Sequence, residues 1–143
     1  MGMNQIEPVN TNKLKSVLDD CEVIMREKGC EFERSEDSKL VIKLMHKYHI
    51  MSYDDDDDQF LHIFSIFEGA QYGCSRNTLL KHINKLNHDI KVVKITIDDD
   101  NDVIFAVEMF LYNARYFTEI FRRHIESIDA ASKALERMTQ HHR

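Results

Sequence analysis

The sequence has 143 residues, of which 43% are hydrophobic, and a formal net charge of -6. That length fits one domain, and the acidic balance argues against nonspecific nucleic-acid binding, which requires a basic surface. The longest apolar stretch, 103–111, includes Glu108 and is too short to cross a bilayer, so we expect no membrane partner.

The chain begins with a polar stretch, 1–10, that lacks the basic start and apolar core of a signal peptide. The three cysteines form no CxxC pair, a pattern typical of free thiols in a reducing compartment. We therefore expect a cytoplasmic protein with a flexible N-terminal lead-in at 1–10, a single domain at 11–139 and a frayed tail at 140–143.

A stripe of apolar residues at helical spacing predicts a first helix that ends before Gly29. Asn10 or Thr11 can cap its start, and a glycine suits the left-handed residue that follows a helix. The residues of the stripe are Leu14, Val17, Leu18, Cys21 and Met25.

Four strands are predicted between residues 30 and 67, where β-branched and aromatic residues are frequent. The first strand covers 31–34 and leads into a turn at 35–38. The second strand places alternate side chains on opposite faces: Leu40, Ile42 and Leu44 on one, and Val41, Lys43 and Met45 on the other.

The third and fourth strands flank the acidic run at 54–58. We expect the chain to turn near Tyr48 and His49, before a short third strand that ends at Tyr53. The fourth strand, 60–67, is apolar on both faces, and this pattern favours a position inside the sheet.

Helical spacing returns at 74–89, where Ser75 or Asn77 can cap the helix start. Two strands follow, within 89–98 and 103–112, and the acidic stretch between them predicts a hairpin turn. Asn and Asp tolerate positive φ better than other residues with a side chain, so they can replace glycine in that turn. The expected buried side of the helix comprises Leu79, Leu80, Ile83 and Leu86.

The last part of the chain predicts a long helix from about 115 to 138. Asp129 and Lys133 are expected to form an i, i+4 ion pair on its exposed side. Its apolar face comprises Phe117, Ile120, Phe121, His124, Ile125, Ile128 and Leu135. The whole order, α-ββββ-α-ββ-α, predicts an α+β domain with three helices packed on an antiparallel sheet of about five to six strands.

The run of five aspartates at 54–58 raises the question of a cation site. A calcium loop requires glycine at position six and glutamate at position twelve, and neither condition is met when counting from Asp54 or from Asp98. A looser Ca²⁺ or Mg²⁺ site could use Asp54, Asp56 and Asp58, although a solvated turn is the better prediction for a charge run. A site shared by both acidic turns requires that they lie at the same end of the sheet.

No residue stands out for catalysis or cofactor binding. Cys74 precedes a helix, where the helix dipole can activate a thiol, but an inert cysteine is the better interpretation. Glu108, a lone charge in an apolar strand, is expected to face outward or to be paired. None of the eight histidines has the neighbours of a closed zinc site, and His62 and His124 are expected to be core or boundary residues. We therefore expect no enzyme, no cofactor and no metal.

The segment 79–111 carries a further pattern. A helix with Asn84 and Asn87 near its end leads to a strand with Lys91 and Lys94, the acidic turn and an apolar strand, LLKHINKLNHDIKVVKITIDDDNDVIFAVEMFL. This pattern resembles the YbjN family of bacterial proteins, which carry the label of sensory transduction regulators. The resemblance covers roughly 12–138 and implies a type III secretion chaperone-like fold, frequent dimers and a noncatalytic role in binding other polypeptides.

We thus expect a noncatalytic, cytoplasmic protein-binding or chaperone-like regulatory module of the YbjN type. Its expected partners are a protein or peptide and a second copy of itself, in a homodimer. Two alternatives stay open: a cation- or small-ligand-responsive sensor that uses the acidic turns, and a small thiol enzyme built on Cys74.

Overall fold

The computed structural model describes most of the chain and gives the elements in the predicted order. The described residues are 19–20, 22–23, 25–27, 29, 31–36, 39–44, 47–54, 56–57, 60–111 and 117–140. The strands are β1 (Glu31–Glu36), β2 (Lys39–Leu44), β3 (Lys47–Tyr53), β4 (Phe60–Glu68), β5 (Lys94–Ile97) and β6 (Asp102–Phe110). The helices are α1, whose described helical residues lie between 19 and 27, α2 (Arg76–Asp89) and α3 (Phe117–Thr139).

The six strands form one antiparallel sheet in the order β1-β2-β3-β4-β6-β5. β4 lies between β3 and β6, which confirms the inner position predicted from its two apolar faces. The α+β class and the antiparallel sheet are likewise confirmed.

All three helices contribute to one hydrophobic core on one face of the sheet, which we call the covered face. Met25 of α1, Leu79 of α2 and Ile128 of α3 are each almost fully buried there. The strand residues of this core include Leu40, Ile42, Met51, Leu61, Ile63, Ile95, Val103, Phe105 and Val107. In each strand these residues alternate with others that point to the opposite side, as strand geometry requires.

The ends of the helices follow the predicted chemistry. Ser75 is the N-cap of α2, and its hydroxyl accepts a hydrogen bond from the Thr78 backbone N–H at 3.2 Å. Gly29, with φ of +70°, adopts the left-handed conformation predicted after the first helix. The prediction for Leu80 is wrong, since its side chain is 40% exposed on the outer side of α2. Apart from Met25, the predicted stripe of the first helix falls outside the described residues.

The predicted turn near Tyr48 and His49 is wrong, because both residues lie within β3. His49 is buried on the covered face, whereas Tyr48 points to the other side and is 60% exposed. Lys47 and His49 point toward the core, where a strand usually has apolar residues. These two polar residues interrupt the alternation of β3, and the sequence pattern therefore predicted a turn. The connection to β2 lies at 45–46, which is outside the described residues.

Two other strand ends also differ from the sequence-based prediction. β1 continues through Ser35 and Glu36, with a register shift between Arg34 and Glu36, where a turn was expected. β5 begins only at Lys94, because Val92 has a φ of +73° and the Val93 backbone N–H donates to the Lys91 carbonyl at 2.8 Å. Because this three-residue turn interrupts the extended conformation, the strand does not include the residues before Lys94 that the sequence predicted for it.

The hairpin between β5 and β6 has the predicted composition and geometry. Asn101 takes the positive φ, 63°, that a glycine usually supplies. One carboxylate oxygen of Asp98, Oδ1, accepts hydrogen bonds from the backbone N–H groups of Asp100 and Asp102. The Gly69 N–H donates to the Asn101 carbonyl at 2.8 Å, and a Cβ at Gly69 would collide with that oxygen. A residue without a side chain is therefore required at Gly69.

The side chain of Asn87 closes part of the sheet edge at β5. Its amide nitrogen donates to the Ile95 carbonyl, and its amide oxygen accepts from the Ile95 N–H, both at 2.8 Å. These two groups are the ones that an added strand would use at this position. Asn87 therefore replaces a seventh strand over one residue of the edge.

We predict that Asn87→Ala lowers the free energy of unfolding by about 1–2 kcal/mol, because two backbone hydrogen bonds are lost. Hydrogen exchange should show faster exchange of the Ile95 amide, and urea unfolding gives the free energy. Asn84→Ala is the matched control, since it makes the same change of helix propensity at an exposed position of α2. Equal Ile95 exchange in the two variants would show that the contact does not protect the edge.

Candidate functional site

The face of the sheet opposite the helices, which we call the open face, is the most distinctive surface of the described structure. Because side chains alternate along each strand and neighbouring strands are paired in register, apolar side chains of neighbouring strands lie side by side on this face. Its apolar members are Val41, Tyr48, Ile50, Phe60, Phe64, Ile66, Ile104, Ala106 and Phe110.

Several large apolar side chains of the open face remain in contact with solvent. Tyr48 is 60% exposed, Ile66 49% and Phe110 61%. Isolated exposed apolar residues are common on proteins, whereas apolar residues grouped on one face of a sheet are the kind of surface that a partner can cover.

Aromatic contacts stabilise the centre of the open face. The rings of His62 and Phe64 stack with centroids 4.5 Å apart, and Phe60 meets Phe110 edge-on at 6.2 Å. Burial lowers the pKa of His62, while the charge of Glu108 raises it and that of Lys94 lowers it further. His62 is thus the boundary histidine that the sequence predicted, and its neutral form is the one suited to an apolar surface.

Charged residues border the apolar centre on both sides. Lys94 Nζ lies 2.9 Å from a carboxylate oxygen of Glu108, which confirms the expectation that Glu108 is outward-facing and paired. On the other side, Lys43 lies 3.6 Å from Glu31 and above the ring of Tyr48. Exposed pairs of this kind contribute little stability, so their main effect is on what can approach the surface.

The covered face contains a polar cluster that the sequence analysis did not find. His49 Nδ1 and the Ser65 hydroxyl share a hydrogen bond of 2.7 Å, and both side chains are 1% exposed. Beside them, Lys47 Nζ donates to Asp129 at 3.2 Å and to Ser132 at 2.9 Å. The cluster joins β3 and β4 to α3.

Asp129 occupies a different position from the one predicted. It does pair with Lys133, at 2.8 Å, but it is buried toward the sheet and not on the exposed side of α3. Burial by itself raises the pKa of Asp129, but hydrogen bonds from Lys133 and Lys47 outweigh burial and hold that pKa below its ordinary value. The carboxylate is therefore ionised and held by two lysines.

The geometry of this polar cluster is that of a structural contact. A serine hydroxyl next to a histidine is the start of a nucleophilic site, but here both groups are sealed inside the helix–sheet layer. The two carboxylate oxygens of Asp129 bond to Lys47 and Lys133, so they do not orient the His49 ring. Burial lowers the pKa of His49 to about 4 and thus keeps the ring neutral. The charge of Asp129 raises this pKa and that of Lys47 lowers it, both by less than burial does.

The two acidic turns lie at opposite ends of the sheet. The aspartate run precedes Phe60 at one end of β4, whereas Asp102 pairs with Glu68 at the other end. β4 has nine residues, so the turns are roughly 25 Å apart at about 3.3 Å per residue. A site shared by both turns would therefore need ligands too far apart to reach one ion.

The aspartate run by itself has the geometry of a turn where it is described. The Asp54 carboxylate accepts a hydrogen bond from the Asp56 N–H at 2.8 Å, an arrangement that tightens a turn. Asp58 is outside the described residues. Within the ranges that the structure describes, no three histidine, cysteine or acidic side chains are grouped as metal ligands would be.

Cys74 lines a cleft of about 250 Å³ next to the start of α2. The cleft also includes Arg76, whose guanidinium donates to the Asp98 carbonyl and to the Asn101 side chain. The thiol is free and half-buried. Of the other histidines, His124 is half-buried in α3, and its Nε2 has no hydrogen-bond partner among the described residues.

No helix in the described part of the chain combines the length and the hydropathy needed to cross a membrane. No protein-family model matches the sequence, and no curated protein matches it. Structural similarity is therefore the comparison that bears on this chain.

The solved structures with a similar fold include the following three. An uncharacterised protein from Methanothermobacter thermautotrophicus has a TM-score of 0.64 at 14% identity, over 87% of this chain and 97% of that one. YbjN from E. coli has a TM-score of 0.59 at 15% identity, over 87% and 92%. The Yersinia pestis type III secretion chaperone SycH, solved with a stable fragment of YscM2, has a TM-score of 0.52 at 14% identity, over 82% and 98%.

This chain therefore has a fold similar to those of YbjN and of a type III secretion chaperone. The similarity confirms the resemblance and the fold class predicted from 79–111 and from the order of the elements. At 14–15% identity the likeness concerns the fold alone.

We predict that stability falls as pH drops from 6.5 toward 4, because the unfolded chain then binds a proton that folded His49 does not. The contribution of His49 amounts to about 2–3 kcal/mol between pH 7 and about pH 4.5, from its lowered pKa. Urea unfolding at both pH values measures it. The double variant His49→Leu/Ser65→Ala, which removes both members of the hydrogen bond, should lose most of this difference.

His88→Gln is the control for this pH experiment, because it removes an exposed histidine from the last turn of α2. The change in its free energy of unfolding between the two pH values should equal that of the unchanged protein. A double variant that keeps the full difference would assign it to other groups, such as His62 and His124, whose pKa values are also lowered by burial.

We predict no saturable heat of binding for Ca²⁺, Mg²⁺ or Zn²⁺ at about 1 mM, since the separated turns supply too few ligands. Isothermal calorimetry and the melting temperature are the measurements. A saturable heat that disappears in Asp54→Asn would instead support the cation-responsive sensor.

Proposed function

We propose that this chain is a noncatalytic, cytoplasmic protein-binding module of the chaperone-like or regulatory kind, and that it binds its partners through the open face. The observation that carries the proposal is the apolar surface around Phe64, where Tyr48 and Ile66 are partly in solvent. A polar row with His62 and Glu108 separates this surface from the exposed Phe110. No enzymatic step is included, because the buried Ser65–His49 pair is inaccessible to a substrate.

The size of the open face supports binding of a polypeptide. Six strands spaced about 4.8 Å apart, each contributing about five residues at about 3.3 Å per residue, give roughly 400–500 Å² of area. Covering that area contributes on the order of 10 kcal/mol at about 25 cal/mol per Å², before the costs of association. A gain of this size, reduced by the costs of association, is typical of a specific but reversible contact.

The structural comparisons support the same function by analogy. SycH, which shares the fold, was solved with a polypeptide fragment, and YbjN shares the fold as well. An antiparallel sheet with helices on one side leaves the other side available for a protein partner. The same property allows a second copy of the chain as a partner.

Photo-crosslinking tests the proposal. With p-benzoylphenylalanine at position 48, in place of Tyr48, irradiation in cells should yield covalent adducts whose second protein is identified by mass spectrometry. The same probe at Leu80, an exposed apolar residue on the outer side of α2, should yield few adducts.

We predict that Ile66→Glu, combined with the probe at position 48, lowers the adduct yield at least about tenfold, since a charge is placed in the apolar surface. Leu80→Glu is the matched control, because Leu80 and Ile66 are exposed to a similar extent, 40% and 49%. Both variants should keep the unchanged melting temperature within a few degrees. Adducts that form from position 80 and not from position 48 would place the binding surface on the helices.

A further inference from the structure

The open face contains a row of six residues that crosses the whole sheet. The register pairs Glu33 with Val41, Val41 with Ile50 and Ile50 with Phe64. The row continues from Phe64 to Ala106 and from Ala106 to Lys94. It therefore runs from an acidic residue on one edge strand, through four apolar residues, to a basic residue on the other edge strand.

This row is self-complementary. A two-fold axis along the strand direction, between β3 and β4, leaves three strands on each side and reverses the order of the strands. It places Ile50 of one copy over Phe64 of the other, and Val41 over Ala106. At the borders it places Glu33 over the partner's Lys94, so opposite charges meet at both ends of the row.

The neighbouring row agrees with the same axis. The register pairs Lys39 with Ser52, Ser52 with His62 and His62 with Glu108. The two-fold axis then places Lys39 over the partner's Glu108, again with opposite charges. Two neighbouring rows therefore give matching charges under one symmetry operation, and Lys94 and Glu108 of these rows also pair with each other within the chain.

We infer that the occupant of the open face is a second copy of this chain, stacked face to face about that axis. Two sheets that pack with aligned strands are a common arrangement, about 10 Å apart. Contact between the two faces removes roughly 1,000 Å² from solvent, which is close to the lower bound for a specific interface. We thus expect a dimer that dissociates at micromolar concentrations. The inference rests on the proposed use of the open face for protein binding.

A mixing experiment with two charge variants tests this arrangement. In a dimer of Glu33→Lys chains, two lysines meet at each border, and in a dimer of Lys94→Glu chains two glutamates meet. In the mixed dimer, by contrast, opposite charges meet at both borders. Each variant alone should dimerise on the order of ten times more weakly than the unchanged chain, and the equimolar mixture should form the heterodimer preferentially.

Sedimentation equilibrium gives the dissociation constants, and native mass spectrometry of one isotope-labelled variant counts homodimers and heterodimers. The Lys94→Glu change also breaks the contact with Glu108 within the chain, but this cost is the same for each variant chain and cancels when the heterodimer is compared with the mean of the two homodimers. Preference for the heterodimer therefore reports the contact between copies, and it should weaken at high salt.

The outcomes separate this inference from the proposed function. A heterodimer preference together with loss of dimer in Ile66→Glu, but not in Leu80→Glu, supports the face-to-face dimer. A statistical mixture of dimers, or a chain that stays monomeric at high concentration, overturns it. If that monomeric chain still crosslinks to another protein from position 48, the proposed function stands, and the occupant of the open face is that protein instead of a second copy. If position 48 gives no adduct in cells either, both fail.

Discussion

The placement of all three described helices on a single face of the sheet is the constraint on which the rest of this structure depends. It gives one side a continuous core, in which Ile63 of the inner strand and Ile128 of α3 are almost fully buried. Because side chains alternate along a strand, the other side receives the remaining residues whatever their polarity. Here many of those residues are apolar, and the open face is the result.

Two pairs of polar side chains lie in the described core. Lys47 donates to Asp129 and His49 shares a hydrogen bond with Ser65, so each of these four groups gains a specific partner when it leaves solvent. Such contacts add less to stability than apolar residues of the same size would, but they allow one alignment of α3 on β3 and β4 and penalise others. The edge contact of Asn87 acts in a similar way, because it gives Ile95 a partner at the sheet edge.

The open face and the charge pattern connect the fold to the proposed function. The apolar centre supplies the driving force for a contact, while Glu33 and Lys94 at its two borders restrict which surface can match it. The resemblance carried by 79–111 led to the same general role, and the fold shared with YbjN and SycH is the one that this resemblance implied. The acidic turns, separated by the length of β4, are compatible with a separate task as solvated ends of hairpins.

The sequence by itself determined the order of the elements, the inner position of β4, the cap at Ser75 and the hairpin that ends at Asn101, since these depend on local periodicity and on the φ preferences of single residues. It did not determine the environment of His49 and Asp129, because a polar residue in a strand or helix shows no sign of the distant residue that will bond to it. The sequence also contains the residues of the open face, but it does not show that they lie together on one surface. Only the strand order and register decided that Glu33 and Lys94, 61 positions apart in the chain, mark the two ends of one row.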